Sequence, residues 1–184
     1  MMSLVAKLKS ESDISFGKPV HEDKAKNEDY DAYEKRIWQQ RAHTSNGNVV
    51  IPPAMFHGSL IEAARYTGMN IKGKGKATYT KHFMGGVMIT EPINTGLTLE
   101  DLEPQWVYVP SDGKRGGSTR VFRCFPLLHE WEGDLEVSVL DDQITMDIFK
   151  FHLEAAGLYI GIGTFRPAKG GHHGRFSVVS IKNK

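Results

Sequence analysis

Apolar and polar residues alternate over 3–9, SLVAKLK, which predicts a first strand. Residues 11–28 are polar, carry Gly17 and Pro19, and read as a loop. Tyr30, Tyr33, Ile37 and Trp38 recur at helical spacing, so 29–42 is expected to be a helix with one aromatic face. The stretch HTSNGNVVIPP turns and enters a short strand. From Pro53 the pattern is helical again through Phe56, Leu60, Ala63 and Ala64, with Pro53 suited to the first turn and Gly68 to the position past the end. Residues 69–81 form a Lys/Gly loop, and HFMGGVMIT at 82–90 reads as a buried strand with Gly85-Gly86 marking a bulge or close approach. Residues 91–104 are acidic and irregular. WVYVP at 106–110 and STRVFRCFPLL at 118–128 are strands flanking a turn-rich tip, and GDLEVSVLDD at 133–142 alternates as a half-buried strand. Met146, Phe149, Leu153 and Ala156 give a helix that Thr145 can cap and Gly157 can end. LYIGIGTF is expected to be a short strand, and GRFSVVSIK at 174–182 the last one.

The order strand, helix, strand, strand, helix, strand defines an α+β protein with a ferredoxin-like (RRM-like) βαββαβ core. Two insertions interrupt it: residues 11–48 before the first core helix, and 91–118 between the central strands. At 184 residues the chain suits one domain, 1–184, with a proper core. One cysteine, Cys124, excludes an internal disulfide and a multi-cysteine zinc site. The start, MMSLVAKLKSESD, has no apolar run long enough for a signal peptide, and no stretch approaches the roughly 18 apolar residues of a membrane span. A cytoplasmic protein without membrane contact is expected.

The net charge of +1 hides a mosaic. Residues 63–90 hold Arg65, Lys72, Lys74, Lys76 and Lys81 and no acid; 155–184 hold Arg166, Lys169, Arg175, Lys182 and Lys184 and no acid. Between them lie Lys114, Arg115, Arg120 and Arg123. The acids gather in 11–34 and 130–154. These basic blocks coincide with glycine-rich loops, which points to a surface that meets phosphate.

The segment GIGTFRPAKGGHHGRFSV, 161–178, is the most informative. Gly161, Gly163, Gly170, Gly171 and Gly174 allow close approach to the main chain, and Arg166, Lys169 and Arg175 supply charge. His172, His173, Phe165 and Phe176 are candidates to stack on bases. The competing reading is a hairpin with a basic tip. GMNIKGKG at 68–75 fails as a phosphate-binding P-loop, because Gly75 stands where Ser or Thr is needed and the segment follows a helix. The adjacent histidines would point to opposite sides of a strand, so no metal or other cofactor is expected.

The glycine loop before the last strand resembles the signature of the CRISPR-associated RAMP superfamily, which includes Cas7 backbone subunits and Cas6 endoribonucleases. Gly161 and Gly163 match its first glycine pair, and Gly171 and Gly174 its second. VVIPPAMFHGSLIEAAR at 49–65 is similar to the IPGSSLKGALR segment of Cas7-type proteins, with Pro52, Gly58, Leu60 and Arg65 at comparable places and Ala54-Met55 replacing the serine pair. The whole chain also resembles proteins of tailed phages and prophages. The resemblance implies a non-catalytic, Cas7-like protein that binds single-stranded nucleic acid, RNA in preference to DNA, and self-associates along the strand. Residues 91–118 would be its thumb. Its binding set would be Arg65, Lys72, Lys74, Lys76, Lys114, Arg115, Gly161, Gly163, Arg166, Lys169, Gly170, Gly171, His172, His173, Gly174 and Arg175. Two alternatives stay open. One is a metal-independent Cas6-type endoribonuclease using His57, His172 or His173, with Asp13 or Asp23 the counterparts for Cas7-type cleavage. The other is a phage protein that inhibits a host CRISPR complex, in the host cytoplasm, by subunit mimicry.

Overall fold

The structure, a computed structural model, describes residues 1–111 and 119–184. Its elements in chain order are β1 (Met2–Ser10), β2 (Ile14–Ser15), α1 (Tyr30–Ile37) continuing into a 3-10 turn (Trp38–Arg41), β3 (Thr44–Ser45), β4 (Asn48–Ile51), α2 (Pro53–Thr67), α3 (Thr80–Gly86), β5 (Val87–Met88), β6 (Ile93–Asn94), β7 (Glu103–Pro110), β8 (Arg120–Leu128), β9 (Glu132–Val139), α4 (Met146–Ala155) with a π-helical extension (Ala156–Ile160), and β10 (Phe176–Asn183).

The main sheet runs β10-β1-β9-β5, with every neighbour antiparallel. In terms of the βαββαβ core these are the fourth, first, third and second strands. The protein is α+β, and this order is compatible with a ferredoxin-like fold. Alternation decides which side of the sheet is covered. Leu4 faces Val137 and Ala6 faces Leu135, and all four are buried. Their neighbours on the other side are Lys7 opposite Asp134 and Lys9 opposite Glu132. That side carries ion pairs, Lys7–Glu132 at 3.7 Å and Lys184–Glu136 at 2.6 Å, rather than the aromatic platform of an RRM.

Helices α2 and α4 cover the apolar side. Pro53 opens α2 and Gly68, at φ 57°, closes it in the left-handed region. Phe56, Leu60, Ala63 and Ala64 form its buried stripe, and Phe56 meets the rings of Phe176 at 5.7 Å and Trp131 at 6.2 Å. Thr145 caps α4 by accepting from the Ile148 amide.

Two predicted strands are corrected. Residues 82–90 are not a strand: α3 occupies 80–86, and only Val87–Met88 pair with β9. Tyr79 and Phe83 lie one helical turn apart, both buried, and Phe83 packs on Phe149 at 6.5 Å and His152 at 4.6 Å. Gly86 is a close approach, since a Cβ there would collide with the Asp141 side chain. LYIGIGTF is not a strand either. Its first residues extend α4 as a π-helix, so Gly157 does not end the helix. A Cβ at 157 would collide with the Phe176 carbonyl, and the left-handed residue that stops the helix is Gly161 at φ 72°.

A buried ion pair docks the first insertion. Glu34 of α1 is fully buried and lies 2.9 Å from the Arg41 guanidinium, which is 6% exposed. Glu34 also accepts the Cys124 amide of β8 at 2.9 Å, and Arg41 lies 5.6 Å from the centre of the Phe125 ring. Cys124 is accordingly an inert thiol, pushed up to about 11 by burial and then by the Glu34 charge. Removing one partner strands the other charge. Glu34→Ala is expected to cost about 3–5 kcal/mol, and the apolar double variant Glu34→Met/Arg41→Leu to recover most of it. Urea denaturation checks both; equal midpoints for the parent and Glu34→Ala would show that the pair carries no stability.

Candidate nucleic-acid interface

The glycine loop closes on itself through its main chain. Ile162 N–H donates to Gly174, Thr164 to Ser15, Gly171 to Arg166, His173 to Phe165 and Gly174 to Asp13. A Cβ at Gly163 would come within 2.6 Å of the Ser15 carbonyl oxygen; at Gly171 it would collide with the Phe165 carbonyl and at Gly174 with the Ile162 carbonyl. Gly161, Gly163, Gly170 and Gly174 all have positive φ. Gly161, Gly163, Gly171 and Gly174 are therefore accounted for by chain crossing chain and Gly170 by its positive φ, and many of the loop amides already donate within the fold. What the loop presents outward is side chains.

Arg166 is the central one. It borders a cavity of about 300 Å3 between the loop and the start of α2, together with Lys18, His43, Met55, Ser59 and the main chain at Gly161 and Gly163. Pro52 offers no side-chain cap to α2; Pro53 has no N–H and the Met55 amide donates to the Pro52 carbonyl at 3.1 Å, which leaves the amide of Ala54, a residue lining the cleft, at the positive end of the helix. Burial, and then the charge of Lys18, hold the His43 imidazole below its usual value. Arg166 also reaches Glu62 of α2 at 3.2 Å. A cleft with two cations, a neutral imidazole and a helix N-terminus suits a phosphate.

The other predicted residues separate into groups. Arg175 N–H donates from Nε to the Leu158 carbonyl at 3.2 Å, and Arg65 is exposed on α2. Lys169 and Gly170 form the exposed tip on the 3-10 turn Pro167–Lys169. His172 is exposed and its carbonyl accepts from the Ser12 hydroxyl; His173 Nε2 lies 3.0 Å from Gln105 Nε2. His57 sits on α2 outside the cleft lining, with Nε2 buried. Lys72, Lys74 and Lys76 project from a loop closed by the Asn70–Thr78 bridge, on the side of Asp141, whose carboxyl is held below its usual value, against the effect of burial, by the Gln143 amide, then His82 and last Lys74. Lys114 and Arg115 lie outside the described residues. Asp23 offers its carbonyl to Arg36 at 3.4 Å. Among the described residues no cluster of three His, Cys, Asp or Glu is placed to hold a metal, and no helix is long and apolar enough to cross a membrane.

Sequence reasoning missed Lys18, His43 and Glu62, which no local spacing links to the loop. It also missed two histidine–carboxylate contacts. His82 Nδ1 lies 2.6 Å from Asp141. His129 bridges Asp13 at 3.1 Å and Glu103 at 2.9 Å, tying the strap under the glycine loop to the foot of the β7–β8 hairpin. The hydrogen bond to Glu103, then that to Asp13, raises the His129 imidazole above its usual value.

The α+β fold that carries this cationic cleft has a counterpart among solved structures. The crystal structure of Cmr6 from Pyrococcus furiosus is similar, with a TM-score of 0.52 at 15% identity over 97% of this chain and 100% of that one. A Cas6 product complex aligns with 95% of this chain and 50% of its own at 13% identity, with a TM-score of 0.38. The fold assignment rests on the first. No protein-family model and no curated protein matches the sequence.

Two outcomes are expected. Gly170→Ala, where no atom lies within 4 Å, costs only the left-handed penalty of roughly 1–2 kcal/mol, whereas Gly171→Val or Gly174→Val destabilises more because a carbonyl must move. Thermal melts that rank Gly170→Ala worst would refute the crossing-chain account. The His129 bridge contributes fully below the ordinary imidazole value of 6.5 and is lost as pH rises through the higher folded value. The melting temperature of the parent should therefore fall towards that of His129→Gln between neutral and alkaline pH, and a constant gap would refute the bridge.

Proposed function

We propose that this chain binds single-stranded nucleic acid without cleaving it, as a Cas7-like component of a CRISPR-related ribonucleoprotein, and packs side by side along the strand. The observation that carries this is the cleft where Arg166 and Lys18 face the uncapped start of α2. RNA is favoured over DNA by the RAMP resemblance, and a phage or prophage source rests on the resemblance of the whole sequence. Residues 91–118, which include β7 with exposed Trp106 and Tyr108, are the proposed thumb. The non-cleaving form is supported by the histidines themselves. His173 Nε2 is engaged by Gln105 and His57 is not on the cleft; His43 is the histidine that lines it, so among the described residues no pair of histidines faces a strand lying there.

Fluorescence anisotropy with labelled single-stranded RNA and DNA tests the reading. Affinity should fall with salt at a slope of about 0.7 per neutralised phosphate, and Lys18→Ala and Arg166→Ala should each flatten that slope by about this amount. Glu62→Gln, which frees Arg166, should tighten binding. A flat salt response, or an Arg166→Ala variant that binds as the parent does, would overturn it. RNA product formed in chelator and lost in His57→Ala or His172→Ala would replace it with the endoribonuclease.

A further inference from the structure

Two tyrosines far apart in sequence meet on the outer surface of the helical layer. Tyr66, on the last turn of α2, is 64% exposed, and Tyr159, in the π-helical extension of α4, is 49% exposed. Their ring centres are 5.2 Å apart and their planes differ by 30°. Leu158 beside them is 54% exposed. The π-turn sits where Gly157 presses on the Phe176 carbonyl, and such turns recur at functional sites. Cations lie on the same segments as the pair. Arg65 adjoins Tyr66, Arg175 is held on the Leu158 carbonyl, and Arg166 is held on Glu62, one helical turn before Tyr66. The carboxylates on neighbouring turns are paired, Glu62 with Arg166 at 3.2 Å and Glu154 with Lys150 at 3.9 Å.

We infer that Tyr66 and Tyr159 form a base-stacking platform for a single strand, with Arg65 and Arg175 meeting its phosphates. The inference rests on the nucleic-acid reading above and extends it from the phosphate cleft to the bases. Two adjoining phenol faces at the surface, tilted by 30°, offer a flat face to a nucleobase, which stacks without regard to sequence. The nearby charge selects the occupant. A small aromatic centre on segments that carry arginines complements a polyanion, whereas a stable protein interface needs a far larger apolar core. Arg166 links the platform to the cleft, so one strand passes from Lys18 and Arg166 to the tyrosines.

The test compares a labelled single-stranded RNA with an abasic strand of equal length, which keeps the phosphates and lacks the bases. Tyr66→Leu/Tyr159→Leu should lose about tenfold or more in affinity for the RNA, keep its affinity for the abasic strand, and keep the salt slope. Tyr66→Phe/Tyr159→Phe should bind as the parent. Circular-dichroism melts confirm folding; if the double leucine variant melts early, Tyr66→Leu alone carries the comparison. A leucine variant that binds RNA as tightly as the parent, or weakens equally on both strands, overturns the platform while the binding function stands. Failure of the parent to bind either strand removes both. A change in sedimentation of the leucine variant without any change in RNA affinity also overturns the platform, in favour of a contact between protein chains.

Discussion

The site depends on one steric constraint: main chain must cross main chain where the glycine loop meets the end of α4, the start of β10 and the strap at 12–15. At Gly157, Gly171 and Gly174 a Cβ would collide with a carbonyl group of the crossing chain. The crossing is sealed by amide hydrogen bonds, among them Ile162 to Gly174 at 2.9 Å and Gly174 to Asp13 at 2.7 Å. Glycine costs backbone entropy when ordered, and here that cost fixes the path of the loop. A fixed path places Arg166 against Glu62 and the cleft, and Arg175 against Leu158. Charge alone would leave both arginines swinging in solvent.

The insertions are held by a different force. Glu34 and Arg41 are buried together, and Glu34 also satisfies the Cys124 amide. A buried pair of this kind adds little net stability over an apolar substitute, but it penalises every arrangement that separates its members. It therefore fixes α1 against β8. His129 does the same at the surface, joining the strap to the hairpin through two carboxylates. Hairpin, insertion and glycine loop thus share anchors, and the cleft they border inherits its shape from them.

Electrostatics divides the molecule by side. The open side of the main sheet pairs lysines with acids, so its field largely cancels. Cations outside that row include Arg166, Lys169 and Arg175 at the glycine loop, Lys18 at the cleft and Arg65 near the end of α2. A net charge of +1 is compatible with a polyanion ligand for this reason: the sum is small while the local field is not.

The sequence by itself determined what local physics governs. Alternation set β1 and β9; Pro53 and Gly68 bounded α2; Thr145 capped α4; and the glycine and charge pattern singled out residues 161–175. It misread 82–90 and 158–165, because short apolar runs with glycine carry no periodicity that separates strand from helix. Phe83 is helical because Phe149 and His152, more than sixty positions later, provide its packing. The same holds for the site. Arg166 and Glu62 are 104 residues apart, Tyr66 and Tyr159 are on separate helices, and Lys18 and His43 come from the insertion. Tertiary structure alone brought these groups within reach, because contact between distant residues depends on how the intervening chain folds, which no spacing along the sequence encodes.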